Sequence, residues 1–458
     1  MPYSTTSSGP IYSAVKGVIY DLPCPSNLSV WWGFGSLLGV CLFGQILTGW
    51  LLSFYYTAHE DLAFSSVCFI MKEAHMGWAV RSFHINVANF MFVCLYLHIG
   101  RGLYYGSHRL YKVWCSGIVL LLLVMLTAFT GYVLPWSQMA YWAAQVISSM
   151  VTAIPLVGGD IAMWVWGGYA VGNVTLKRLF SLHFLMPFVI MGIFFLHLIF
   201  LHSTGSGNPL GLDSDCSLVR FHSFFTVKDL VGVCLSCTVV AFMVGFYPYS
   251  LLDGGSFVPC DYMETPASIH PEWYFLFAYA ILRSVPNKVG GILLLLASIF
   301  ILFVLPEIWC GKMESFCFYP VCQFLFWAWV ANFCVLTYVG SQGVDDPFVS
   351  AGSWGTIFYF GFFPLVGLVQ RYEDYICSYD HEWDEFDEYW EEMVKQYPDL
   401  GVNDEDHWPD PKLMSAGEMV DLLKVEPYNW KGLGGHLHKV VKGSTKPLDP
   451  YSGTYHGW

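Results

Sequence analysis

The chain has 458 residues, 55% of them hydrophobic and 12% charged, with a mean hydropathy of +0.49. Soluble domains carry about a quarter charged residues, so this composition excludes an ordinary water-soluble fold and points to a membrane protein. The formal charge of −14 lies mostly in residues 371–458, with 8 Lys/Arg against 19 Asp/Glu, which leaves no basic footprint for nucleic acid.

The 14 cysteines lack the paired spacing of a secreted disulfide framework or a zinc ribbon, and most read as buried thiols. The N-terminus, MPYSTTSSGPIY, has neither a basic nor an apolar signal region, so no cleavable secretory signal is expected.

Stretches free of Asp, Glu, Lys and Arg and long enough to cross a bilayer, roughly 20 residues, occur eight times. They fall near 31–56, 78–104, 113–134, 174–202, 230–248, 289–306, 321–339 and 349–369. After the third span no charge appears until Asp160, but Pro135 cannot continue a helix and disfavours helix at Leu134. The third span is therefore predicted to end there. Residues 137–150, with Tyr141, Trp142 and Val146 on a helical repeat, read as a short interfacial helix. The second long connection is 249–288. Eight spans place both termini on one side, n, opposite side p. Basic residues near the span ends favour n by eight to six, a small positive-inside excess. The fold class read from this pattern is an all-α integral membrane protein, divided into an N-terminal segment 1–30, a four-helix bundle 31–212, four further helices 213–370 and a soluble acidic extension 371–458.

The second span carries His84 and His98, the fourth His183 and His197, and both separations are 14 residues. Fourteen residues rise about 21 Å in nearly four turns, so the two histidines of each helix share a face. The second and fourth spans run in the same direction, which sets His84 level with His183 and His98 level with His197. Paired neutral imidazoles in an apolar bundle suit axial ligation of haem iron, one pair near each face. The first and third spans repeat the spacing with Gly35 and Gly49, and Gly117 and Gly131. They run oppositely, so Gly35 and Gly117 fall at the His98/His197 level and Gly49 and Gly131 at the His84/His183 level. Glycine there would let a flat ring approach the backbone. Arg81, Arg101 and Arg178 flank the layers and either neutralise haem propionates or anchor at the interface. No CxxCH motif for covalent haem occurs.

The segments WWGFGSLLG, SFHINVANF, HIGRGLYYGS, TAFTGYVLPW, WGGYAV, LHSTGSGNPLG and PEWYFLFAYAILRSVPNK, in this order, resemble cytochrome b of the mitochondrial-type cytochrome bc complex, complex III, over residues 31–369. The resemblance implies two haems b, the low-potential one on His84/His183 near the p side and the high-potential one on His98/His197 near the n side. It also implies two quinone sites. The p-side site would use Tyr132, the 137–150 helix with Ala143, and Pro271, Glu272, Trp273 and Tyr274. Glu272 precedes the apolar run FLFAYAIL, where burial would raise its pKa and suit it to accept a quinol proton. The n-side site would use His202, Ser206, Lys228 and Asp229, with Lys228 and Asp229 opening the fifth span.

Some positions depart from the family's pattern. Ser137 and Ala143 stand where glycines are usual, and the added methyl of Ala143 in the pocket wall is expected to weaken methoxyacrylate-type inhibitors. Ser203 replaces a common acid and Gly207 a usual asparagine. The extension beyond Arg371 exceeds the usual length, and its Trp383, Tyr389, Trp390 and Trp408 favour docking on other subunits over disorder. Cys234 and Cys237 read as packing residues, and His436 with His438 lacks further ligands.

The function implied is a quinol-oxidising, quinone-reducing electron-transfer subunit, catalytically incomplete alone. Its partners would be a Rieske iron–sulfur protein, cytochrome c1 and further complex III subunits in a dimeric assembly of the mitochondrial inner membrane. Two rivals remain from the residues alone: a diheme b-type anchor of another dehydrogenase, which would not need PEWY or LHSTGSGNP, and a proton-coupled transporter, which would show internal repeats.

Overall fold

The computed structural model describes residues 16–378. Residues through Arg371 belong to one compact unit and those from Tyr372 to a second. The acidic cluster, the tail aromatics and the His436/His438 pair lie outside the described residues.

Twelve α-helices are formed among the described residues. In chain order they are α1 Phe34–Ser53, α2 Ala63–Lys72, α3 Gly77–Tyr104, α4 Tyr111–Val133, α5 Gln138–Ser149, α6 Gly158–Trp166, α7 Asn173–Thr204, α8 Phe221–Phe246, α9 Leu276–Arg283, α10 Lys288–Ile308, α11 Pro320–Gly340 and α12 Phe348–Ser378. Eight are long and apolar enough to cross a membrane: α1, α3, α4, α7, α8, α10, α11 and α12. Their outer faces keep large apolar side chains exposed, among them Leu185, Phe195 and Leu196 on α7 and Leu235 on α8. A surface of that kind is stable against lipid or apolar partners and untenable in water.

The helix ends follow local chemistry. α4 stops at Val133, ahead of Pro135, as the sequence predicts. α5 then starts behind Ser137, whose side-chain oxygen accepts from the Ala140 amide. α8 is interrupted at His222 and regular beyond it, so Lys228 and Asp229 lie more than one turn inside the helix instead of opening it. Charged and polar residues at a membrane face are compatible with helix, and a charge-free count therefore places the start too late. β1 (Pro23–Pro25) pairs antiparallel with β2 (Leu218–Arg220), Cys24 opposite Val219, and ties the N-terminal segment to the start of α8. The short helices α2 and α6 have no counterpart in the sequence reading.

α1 packs along α3, and α4 along α7. These two pairs form the first bundle. α9 inserts between α10 and α11 and carries a buried apolar set, Leu276, Phe277, Ala278, Ala280 and Ile281, into the core of the second half. α3 and α7, the two helices that bear the histidines, are not closely packed on each other among the described residues. The space between the pairs is taken by two cavities.

Candidate functional site

The first cavity, about 280 Å³, is lined by His84 and His183 together with Gly49, Gly131 and Arg81. The ring centroids of the two histidines are 6.3 Å apart at an interplanar angle of 80°. The second cavity, about 690 Å³, is lined by His98, His197, Gly35, Gly117 and Arg101. The levels read from the 14-residue spacing are thus those found in space.

Each glycine faces the histidine of its own level. A Cβ at Gly35 would lie 3.3 Å from His98 Cε1, at Gly49 3.1 Å from His84 Cε1, and at Gly117 3.3 Å from His197 Cε1. At Gly131 it would lie 2.9 Å from His183 Nδ1. The flat ring that these glycines admit is the imidazole itself, and the glycines set how far each histidine can withdraw from the cavity.

Three of the four imidazoles are held through Nδ1. Thr48 Oγ1 donates to the Gly44 carbonyl at 2.7 Å and lies 2.8 Å from His84 Nδ1. A hydroxyl has one proton to give, so Nδ1–H donates to Thr48. Ser116 does the same for His197: its Oγ donates to Val113 O at 2.9 Å and accepts from His197 Nδ1 at 2.9 Å. His183 Nδ1 donates to the Thr127 carbonyl at 2.9 Å. With Nδ1 protonated, Nε2 holds a free lone pair, the state an axial metal ligand requires. His98 differs, with Nδ1 3.5 Å from Arg101 Nη2.

This second layer was missed in the sequence, yet it leaves a trace there. A hydroxyl residue directly precedes the glycine in Thr48–Gly49, Ser116–Gly117 and Thr130–Gly131, whereas Phe34 precedes Gly35.

The residues fit a flat, iron-centred group. A well-packed interior leaves few voids larger than a water molecule, and an empty space of this size would cost on the order of several kcal/mol. Two such voids, each flanked by a histidine pair, a glycine pair and one arginine, match two haem-sized ligands. Among the described residues no group of three or more His, Cys, Asp or Glu that could hold a metal ion occurs.

The first cavity also takes in Tyr132, Ser137, Ser256, Glu272 and Tyr274. Glu272 stands at the head of the 3₁₀ turn Trp273–Phe275, where its backbone carbonyl accepts from the Phe275 amide at 2.9 Å. Burial, with Asp253 nearby, raises its carboxyl to about 7. Tyr274 stacks on Phe92 at 3.9 Å between centroids. Pro271, Trp273 and Ala143 do not line this cavity. Trp273 turns to α3, where its Nε1 donates to Asn89 Oδ1 at 2.8 Å. Ala143 is 5% exposed among the buried residues of α5, beside Ala140 and Ala144.

The second cavity takes in His202, Ser206, Lys228 and Asp229. Lys228 Nζ donates to the Leu28 carbonyl at 2.7 Å, so the N-terminal segment fixes this amine. Arg178 reaches neither cavity. Its guanidinium bonds the Trp164 and Val165 carbonyls at the end of α6, where the helix dipole favours a cation.

Residues 19–205 match the family model described as cytochrome b/b6/petB, and residues 259–360 the one described as cytochrome b (C-terminal)/b6/petD. A solved structure of a hyperthermophilic respiratory Complex III aligns with a TM-score of 0.75 at 29% identity, covering 80% of this chain and 98% of the matched chain. With both parts of the family matched in order, and a redox-group-sized cavity in each half of a histidine-bearing bundle, the chain belongs to the cytochrome b family and is a diheme electron-transfer subunit of a quinol-oxidising respiratory bc-type complex.

Proposed function

We propose that His84 and His183 ligate one haem b and His98 and His197 the other, and that quinol is oxidised beside the first pair and quinone reduced beside the second. The observation that carries this reading is the sharing of each cavity. Tyr132, Glu272 and Tyr274 line the space of the His84/His183 pair, and His202, Ser206, Lys228 and Asp229 line that of the His98/His197 pair. Electron donor, acceptor and proton-handling groups thus meet without an intervening wall.

Bound haem supplies a one-electron couple at each level, stacked about four turns apart along α3 and α7. The protein's own groups do the rest. Glu272, held near neutrality by its burial, takes a proton from quinol at the first cavity, which would lie toward the p side. One electron leaves to an iron–sulfur partner and the other crosses to the second cavity. There His202 and Asp229 deliver protons to the reduced quinone, and Lys228, fixed on Leu28, orients a quinone oxygen. Arg81 and Arg101, which line the two cavities, would offset the carboxylates of the two haems. The cytochrome c1 and Rieske-type partners, a dimeric complex and a mitochondrial inner membrane fit this role, and a bacterial plasma membrane is the alternative setting. The dehydrogenase-anchor reading lacks a use for the carboxyl and phenols in the first cavity.

A dithionite-reduced minus oxidised spectrum with pyridine haemochrome counting tests the core of the proposal. Two haems b per chain, partly reducible by quinol, are expected, and one or none would overturn it. The hydroxyl layer gives a second expectation. In Thr48→Val the His84 Nδ1–H loses its acceptor, and haem affinity at that level should fall about 10–100-fold, with Thr48→Ser restoring it. Haem retention on dilution and the low-spin EPR signal of that haem measure the change.

A further inference from the structure

Asp253 caps the 3₁₀ turn Gly254–Phe257, its Oδ1 accepting from the Gly255 amide at 2.8 Å. That bond fixes the side chain and leaves Oδ2 free, 3.9 Å from Nε2 of His270. The other ring nitrogen, Nδ1, lies 3.3 Å from the Pro271 carbonyl oxygen. A carbonyl only accepts, so Nδ1 carries the proton and Nε2 of the neutral ring is an acceptor. Two acceptors face each other, which makes the gap a site for one added proton.

The pair adjoins two segments that line the first cavity and is itself partly open to solvent. Ser256, in the turn that Asp253 caps, lines the cavity along with Glu272, which follows His270 by two residues. The Asp253 and His270 side chains are 39% and 30% exposed. Asp253 is the charge that adds to burial in raising the Glu272 carboxyl. The phenols of Tyr132 from α4, Tyr274 beside Glu272 and Tyr279, whose hydroxyl donates to Ile269 O at 3.3 Å, also face this set, and the Arg283 guanidinium lies 5.0 Å from the Tyr279 ring.

We propose that the Asp253–His270 pair is the exit for the proton that Glu272 takes from quinol, an inference that rests on the assignment of Glu272 above. The Glu272 carboxyl returns to carboxylate as its proton moves into the gap, forming an imidazolium–carboxylate pair. Nε2–H of the imidazolium then gives the proton to water, and the pair is reset. No electron moves in these steps. Glu272 is thereby emptied for the next turnover without opening the apolar cavity to bulk water.

The test uses the intact complex, with steady-state quinol oxidation followed from pH 5.5 to 9. His270→Ala should slow turnover on the order of tenfold below neutrality, with a smaller effect at high pH where water strips Glu272 directly. Added imidazole should restore the rate in His270→Ala and leave Glu272→Gln slow. Asp253→Asn should likewise slow turnover below neutrality, on a rising limb moved to lower pH by loss of its charge. The reduced haem spectrum reports assembly, and His270→Gln, which keeps a donor to Pro271 O, serves if the alanine variant does not assemble; it too should be slow. Full rate in the His270 variants with a slow Glu272→Gln overturns the exit and leaves the Glu272 assignment standing. Full rate in both removes the Glu272 assignment itself. A slow His270→Ala that imidazole does not rescue assigns His270 a structural role and likewise overturns the exit.

Discussion

Gly131→Val is expected to leave one haem b per chain where the parent holds two. A Cβ at this position would sit 2.9 Å from His183 Nδ1 and 3.1 Å from Nε2, and closer still to Cε1. Valine adds two further carbons to that collision. The imidazole cannot slide away along its helix, because Nδ1 is tied to the Thr127 carbonyl one turn before Gly131 on the same α4. The ring must therefore swing across the cavity, into the space the iron would take. α4 and α7 are packed along their lengths, so the backbones have little freedom to separate. Gly117 provides the control: a Cβ there meets His197 Cε1 at 3.3 Å, a contact that a shift of a few tenths of an ångström relieves. Gly117→Ala should keep both haems. Haem counting on the purified complex, with separate EPR signals for the two levels, distinguishes the outcomes. Two haems with unchanged spectra in Gly131→Val would mean that His183 is not the ligand at this level.

The contrast between the two glycines marks how far sequence reasoning reaches. Periodicity is a one-dimensional property of a regular helix, so the 14-residue spacings gave the shared faces, and alternation of span direction gave the levels. Pro135 acts on the backbone directly, and α4 ends where its missing donor requires. The assignments that failed depend on side-chain direction or on where helix persists through polar residues. Lys228 and Asp229 were misplaced because absence of charge marks the apolar core of a span, while helix continues into the interface. Arg178 and Arg81 look alike in sequence, yet one is drawn to the carbonyl end of α6, a short helix that the composition did not reveal. Ala143 and Trp273 share segments with residues that line the first cavity, but Ala143 is buried on α5 outside that lining and Trp273 turns to Asn89. The hydroxyl residues beside the glycines were legible in principle. Their role becomes visible only when Nδ1 and Oγ are placed within hydrogen-bond distance.

Glu272→Gln is expected to lower quinol oxidation by about two orders of magnitude with both haems retained, the usual cost of removing a positioned general base. The amide keeps the size of the side chain at the head of the Trp273–Phe275 turn, so the cavity wall and the Tyr274–Phe92 stack should survive. What is lost is the ability to take a proton. In the parent the carboxyl titrates at about 7 because burial, and then Asp253, disfavour its charged form. Only the carboxylate is a base, so the rate of the parent should rise as pH increases through about 7 and level off above it. The raised value serves the chemistry in a second way. An ordinary glutamate would be a weaker base by more than two pH units and would meet the quinol hydroxyl with little driving force. Asp253→Asn removes the nearby negative charge, which lowers the Glu272 carboxyl and should move the rising limb to lower pH. That same substitution removes the acceptor of the proposed exit, which slows turnover below neutrality as His270→Ala does. His270→Ala removes the exit and leaves the Asp253 charge in place, so comparing the two pH–rate profiles separates the tuning of Glu272 from the removal of its proton. A flat profile in Glu272→Gln, with the limb near pH 7 gone, ties that limb to this one carboxyl; a limb that persists would assign it to another group and sink the role given to Glu272.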